Sequence, residues 1–118
     1  MEKQKTLKMG DVENFENFMS AVIDKKSFDR ISGYISHAKS SPNTTVLAGG
    51  KCDDSVGYFV EPTIVQTSTP KDRIFNEEIF GPVVTAYVYK DSELMPTLQG
   101  VATDTPYALT GAVFSQDE

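Results

Sequence analysis

Cysteine is nearly missing from this sequence: Cys52 is the single thiol among 118 residues. One thiol excludes an intramolecular disulfide and a structural zinc site of the multi-thiolate kind, and it suits a reducing compartment. Basic residues are also few, with 11 Lys and Arg against 17 Asp and Glu, which leaves a net charge of -6 and a pI near 4.7. So acidic a chain offers no basic face to neutralise a phosphate backbone, which argues against nucleic acid as a partner. No run approaches the roughly 20 apolar residues that span a bilayer, so no membrane partner is expected. The start, Met1 to Met9, alternates in charge without an apolar stretch for a secretory signal and with too few Arg and Ser for a transit peptide, so no targeting segment is expected there. Repeats, low-complexity tracts and Gly/Ser linkers are absent as well. At 118 residues the chain is expected to be one compact unit or a piece of one.

What is present has a clear order. From Asp24 to about Ser41 the apolar residues Phe28, Ile31, Tyr34, Ile35 and Ala38 recur at helical spacing, with Lys25 and Lys26 left for solvent. Pro42 disfavours helical geometry at the residue before it and ends that helix. Thr45 to Ala48 reads as a strand closed by Gly49 and Gly50, and Lys51 to Gly57 as a polar loop. Tyr58 to Val65 is β-rich, but Pro62 has no donor for a ladder, which predicts an edge or bulged strand. A turn or short helix is expected from Arg73 to Ile79. The nearly unbroken apolar run Val83 to Tyr89 predicts a strand covered on both sides inside a sheet. Ser92 is placed to cap a last helix through Thr103, in which Pro96 is comfortable only in the first turn. Leu109 to Ser115 reads as a further strand, so the chain would end at Gln116-Asp117-Glu118 directly after a strand, as a cut domain would. Strands and helices in this order predict an α/β sheet with crossovers.

The stretch Asn76-Glu77-Glu78-Ile79-Phe80-Gly81-Pro82-Val83 sets two carboxylates and a ring before a Gly-Pro turn. A carboxylate such as Glu78 can accept hydrogen bonds from two neighbouring ribose hydroxyls, and a ring such as Phe80 can cover a flat base. By composition alone a solvated charge pair and a core-filling ring are the commoner outcome. Gly81 is expected to supply a dihedral that other residues resist, and Pro82 to fix the entry into the strand.

In register, Val22-Ile23-Asp24, Leu47-Ala48-Gly49-Gly50, Tyr58-Phe59-Val60-Glu61-Pro62-Thr63-Ile64, Glu77-Glu78-Ile79-Phe80-Gly81-Pro82-Val83 and Leu109-Thr110-Gly111-Ala112-Val113-Phe114 resemble the NAD(P)-dependent aldehyde dehydrogenase superfamily. The likeness runs from about Met9 to Glu118. Phe18 to Asp24, His37 to Pro42 and Gly49 to Phe59 are most similar to its mitochondrial branch, which oxidises glutamate γ-semialdehyde, from delta-1-pyrroline-5-carboxylate, to glutamate in proline breakdown. The resemblance implies an α/β fold: an incomplete open twisted sheet with flanking helices, part of the aldehyde dehydrogenase catalytic domain. Residues 1–9 would be an irregular lead-in and residues 10–118 the partial catalytic domain.

The same resemblance implies a nicotinamide cofactor, NAD, and a small aldehyde substrate as partners of the parent enzyme in the mitochondrial matrix. Glu78 would bind the hydroxyls of the nicotinamide ribose and Phe80 would pack beside the nicotinamide, with Glu77 the near alternative to Glu78. Family order places the nucleophilic cysteine, the general base, the oxyanion segment and the dinucleotide-binding domain before the first residue, and the segment holding the substrate carboxylate after the last. The chain alone is therefore expected to lack a catalytic residue, to be inactive and to bind NAD weakly or not at all. The alternative is a noncatalytic interaction module or assembly competitor that associates through exposed sheet edges.

Three further candidates read as bland. Gly50-Lys51-Cys52 echoes the neighbourhood of the family nucleophile, but Asp53 and Asp54 disfavour a thiolate and the motif falls in the wrong segment, so Cys52 is expected to be a solvent-loop thiol. His37 lies off the apolar stripe and has no second ligand at metal spacing, which predicts a surface residue and no metal site. Asp11, Glu13 and Glu16 lack a calcium-loop pattern and read as solvated charge.

Overall fold

The computed structural model describes residues 2–107 and 109–116; Met1, Ala108, Asp117 and Glu118, and with the last two the expected end after a strand, lie outside the described residues. The chain divides into two compact units, residues 1–88 and 89–118. The first holds α1 (Glu2–Lys5), α2 (Lys25–Ser40), β1 (Thr44–Ala48), β2 (Cys52–Asp53), β3 (Phe59–Val60), β4 (Thr63–Thr67), α3 (Arg73–Asn76) and β5 (Val83–Tyr87). The second holds a 3-10 turn at Asp91–Glu93 and α4 (Leu94–Asp104).

Helix α2 forms where its periodicity placed it. Asp24 caps it by accepting the Ser27 amide at 2.7 Å, and this bond above all holds the Asp24 carboxyl below its ordinary range. Lys25 pairs with Asp29 one turn on at 2.8 Å, on the solvent side. The buried residues of α2 are Phe28, Ile31, Tyr34, Ile35 and Ala38, the stripe that the sequence shows. They join Val60, Val65, Ile74 and Ile79 in one core between the helix and the sheet.

The main sheet runs β1-β4-β5, with β1 antiparallel and β5 parallel to β4. Two expectations are reversed here. The segment after Pro62 is the central strand rather than an edge, because β4 starts at Thr63, past the residue without a donor; the Thr63 amide bonds the Pro82 carbonyl at 2.8 Å. Conversely, β5 is an edge strand and not a fully covered one, with Val84 65% and Val88 71% exposed. The ladder irregularity falls in β1, between Val46 and Ala48. The polar loop from Lys51 also contains a short strand, since Cys52 and Asp53 pair with Val60 and Phe59.

Gly49 explains how β1 can turn so sharply. Its φ is +73°, and a Cβ there would lie 2.1 Å from the Pro62 carbonyl oxygen, so no side chain fits. The next residue, Gly50, is tied from both sides: its amide donates to Thr63 Oγ1 at 2.9 Å and its carbonyl accepts from Lys39 Nζ at 2.6 Å. These bonds satisfy the buried Thr63 hydroxyl, which itself donates to the Glu61 carbonyl at 2.7 Å.

In the second unit Ser92 does not cap α4. It lies inside the 3-10 turn, where the Glu93 amide bonds the Lys90 carbonyl at 2.8 Å, and α4 begins without a side-chain cap. Pro96 does fall in the first turn of α4. Residues 109–115 form no strand, against expectation: residues such as Val113 and Phe114 favour extended chain, but a strand also requires a hydrogen-bonded partner.

Candidate functional site

The stretch from residue 77 to residue 82 connects α3 to β5 and is fastened at both ends. Asp72 caps α3 by accepting the Ile74 amide at 3.0 Å, and Thr85 Oγ1 of β5 donates to the Ile74 carbonyl at 2.9 Å. At the far end Gly81 rests on the buried Ile31: a Cβ at Gly81 would come 2.6 Å from Ile31 Cδ1. The need for glycine here is therefore close approach, not the special dihedral that the sequence suggested. The special dihedral belongs to its neighbour Phe80, with φ of 53°, in the left-handed region that side chains seldom adopt.

The two carboxylates have separated fates. Glu77 accepts a short hydrogen bond from the Tyr34 hydroxyl of α2 and a second from Arg73 Nη2 at 3.2 Å, while the Arg73 guanidinium lies 4.6 Å from the centre of the Tyr34 ring. The Tyr34 hydroxyl first, then Arg73, hold the Glu77 carboxyl below its ordinary 4.5, against an opposing effect of desolvation. Glu78 is exposed and its carboxylate has no hydrogen-bond or ion-pair partner among the described residues. Phe80 is 75% exposed, so its ring does not plug the core. Glu77, Glu78, Phe80, Phe75 and Thr85 line a cleft of about 470 Å³, within the roughly 300–1,000 Å³ range of small-molecule sites. An acceptor-only carboxylate beside an uncovered ring suits a molecule with paired hydroxyls and a flat, electron-poor ring. This acceptor and ring are compatible with the nicotinamide riboside that the resemblance implies.

The sequence could not separate Glu77 from Glu78, because adjacent carboxylates look alike and the distinguishing partner, Tyr34, is 43 residues away. A signal was nonetheless present on α2. Tyr34, His37 and Ser41 follow at i, i+3 and i+7, a row of polar groups that starts from Tyr34 in the stripe. His37 Nε2 lies 2.9 Å from Asp72 Oδ1, and Ser41 Oγ donates to Asp72 Oδ2 at 3.4 Å. Desolvation pushes the buried Asp72 carboxyl up, but the Ile74 amide, His37 and Ser41 together outweigh it and hold the group below its ordinary 3.8. His37 is thus half-buried and not the surface residue expected, since a polar residue off the apolar stripe still faces α3.

Cys52 is likewise not a solvent-loop thiol: it sits in β2, half-buried against the core. Asp11, Glu13 and Glu16 are all exposed; Glu16 pairs with Lys8 at 2.7 Å, and Asp11 Oδ1 accepts the Glu13 amide at 3.1 Å. Among the described residues no three His, Cys, Asp or Glu groups converge as a metal site would require, and no helix is long and apolar enough to cross a membrane.

The family model for the aldehyde dehydrogenase family matches residues 1–118. The chain is 58% identical over its full length to the Homo sapiens protein named delta-1-pyrroline-5-carboxylate dehydrogenase, mitochondrial, and covers 21% of that protein. It is 56% identical over 97% of its length to the Danio rerio protein of the same name, again covering 21%. A crystal structure of the Mycobacterium tuberculosis delta-pyrroline-5-carboxylate dehydrogenase bound with NAD superposes with a TM-score of 0.85 at 37% identity, over 98% of this chain and 20% of that one. The chain thus spans about a fifth of the length of the relatives it matches.

Proposed function

This chain belongs to the aldehyde dehydrogenase family, and from that premise we propose that residues 77–82 hold the nicotinamide end of NAD in a dehydrogenase that oxidises glutamate γ-semialdehyde to glutamate. The observation that carries this reading is the division of labour between neighbours: Glu77 is engaged by Tyr34 and Arg73, while Glu78 keeps its acceptors open beside the uncovered Phe80 ring. NAD, when bound, supplies the hydride acceptor for aldehyde oxidation. Glu78 accepts hydrogen bonds from the two hydroxyls of the nicotinamide ribose and fixes the sugar. Phe80 covers one face of the nicotinamide ring and keeps water from it. Orientation of this kind raises the rate by presenting the ring to the substrate in a reactive geometry.

The substrate assignment rests on the names of the human and zebrafish relatives, and so does a mitochondrial location. Cys52 does not take the role of nucleophile: it lies in β2, apart from the Glu78 and Phe80 cleft. The chain alone is therefore inactive, and it contributes its clamp only with the remaining segments of such an enzyme. A second reading, an assembly competitor derived from the same domain, is favoured by the uncovered β5 edge with its exposed Val84.

The test uses the purified chain and a chimera in which residues 1–118 replace the matching segment of the human enzyme. NADH formation from glutamate γ-semialdehyde is expected in the chimera and absent, against a no-protein control, in the chain alone. A chimera that folds without turnover overturns the dehydrogenase assignment. Turnover by the isolated chain overturns its inactivity.

A further inference from the structure

The turn that carries Glu78 and Phe80 contains a conformation that it does not favour by itself. Phe80 sits at φ of 53°, and a non-glycine residue stays there only when its surroundings fix it. Downstream, the fixing groups are backbone and core: the Pro82 carbonyl accepts the Thr63 amide at 2.8 Å, the Val83 amide bonds the Gly81 carbonyl at 2.8 Å, and Gly81 lies on Ile31. Upstream, Ile79 is buried in the core, and Glu77 is the side chain that ties the start of the turn to α2 by a hydrogen bond. Its carboxylate is held by the buried Tyr34 through its hydroxyl and by Arg73, whose guanidinium in turn rests on the Tyr34 ring.

We propose that Tyr34 is a positioning residue for the cofactor clamp. It acts through Glu77 and does not itself touch the cofactor. By engaging the first carboxylate of the pair, the Tyr34 hydroxyl decides that Glu78 and not Glu77 is presented to the ribose, and it holds the backbone before Phe80 so that the ring keeps its place. Arg73 supports the same anchor from α3, but Tyr34 brings it to a rigid element: α2 is 16 residues long and its buried stripe includes Ile31, the residue on which the other end of the turn rests. One helix thus fixes the turn at both ends, through Tyr34 at Glu77 and through Ile31 at Gly81. The inference rests on the reading of Glu78 and Phe80 as the nicotinamide clamp.

Tyr34→Phe removes the donor and keeps the ring beneath Arg73, whereas Glu77→Gln keeps an acceptor for the Tyr34 hydroxyl. In the 118-residue chain, hydrogen exchange of the Glu77 amide, which bonds the Arg73 carbonyl at 2.9 Å, is expected to accelerate about three- to tenfold in Tyr34→Phe, the weight of one hydrogen bond. The Val65 amide in β4 should stay unchanged, and Glu77→Gln should stay near the parent. Unchanged exchange at Glu77, or an equal acceleration at Val65, overturns the proposal, the latter because it marks a general loss of stability.

In the chimera, Tyr34→Phe is expected to raise the Kd for NAD by the same about three- to tenfold while leaving the KM for the aldehyde in place, with Glu77→Gln close to the parent. Glu78→Gln is the control that separates the two claims. If Glu78→Gln weakens NAD and Tyr34→Phe does not, the positioning role falls and the clamp stands; if Glu78→Gln has no effect on NAD, the clamp itself falls.

Discussion

Residues 2–88 bury nine apolar side chains, whereas residues 89–116 bury none among the described residues, although they include Leu94, Leu98, Leu109, Val113 and Phe114. Apolar content is thus not what separates the two units. The first can lay the stripe of α2 against a three-stranded sheet, and each layer removes the other from water. The second has one helix and one 3-10 turn, and within itself it has no second layer to cover Leu98 or Phe114. The candidate clamp lies wholly in the unit with a core. This placement is physically sensible, since a cofactor can be oriented only by groups that are themselves held.

Substitutions can break or sharpen this contrast. The largest effect is expected from Ile31→Ala, because Ile31 is 0% exposed and supports Gly81; about 4 kcal/mol of stability should be lost in urea unfolding. A loss under about 1 kcal/mol would show that the core of the first unit is not cooperative. Gly49→Ala comes next, at about 3 kcal/mol, since it combines a positive φ with a backbone clash at Pro62. Asp72→Ala should cost about 2 kcal/mol by removing the α3 cap and leaving His37 and Ser41 without their acceptor. At the small end, Leu98→Ala and Phe114→Ala in the second unit should change stability by less than about 0.5 kcal/mol. A loss as large as that of Ile31→Ala would end the contrast.

Acid should act on the first unit in a defined direction. Asp72 and Glu77 both have folded-state carboxyls held below their ordinary values of 3.8 and 4.5, so folding is favoured by their ionisation. That contribution is fully present above those ordinary values and is lost as pH falls through them toward the lower folded values. The urea midpoint is therefore expected to hold from pH 7 to about 5 and then decline. Asp72→Asn should flatten the decline, and an unchanged slope would remove Asp72 from the account.

How much of this was legible depends on the range of the contacts involved. Helix α2 was readable because its stripe and the Pro42 stop are both local signals. The strand order was not: Tyr58 to Val65 reads as an edge or bulged strand because of Pro62, but β4 begins at Thr63, directly after the proline, and lies in the centre of the sheet. The apolar run of β5 reads as fully covered, and only the neighbours of a strand can decide that; here β4 is its one strand neighbour among the described residues. Residues 109–115 contain strand-favouring residues such as Val113 and Phe114 without forming a strand, for the same reason. At the site, the motif pointed to the turn that lines the cleft but could not tell which of its side chains are engaged by the rest of the fold. Gly81 was read for a dihedral that Phe80 adopts, and Glu77 could be told from Glu78 only through Tyr34 on a distant helix.

The most direct test of the central claim is a calorimetric titration of NAD into the chimera carrying residues 1–118, with and without Glu78→Gln. One charged acceptor of two ribose hydroxyls predicts a Kd raised about tenfold or more by that substitution, with the melting temperature unchanged. An unchanged Kd would contradict the assignment of residues 77–82 as the part of this chain that holds the nicotinamide ribose.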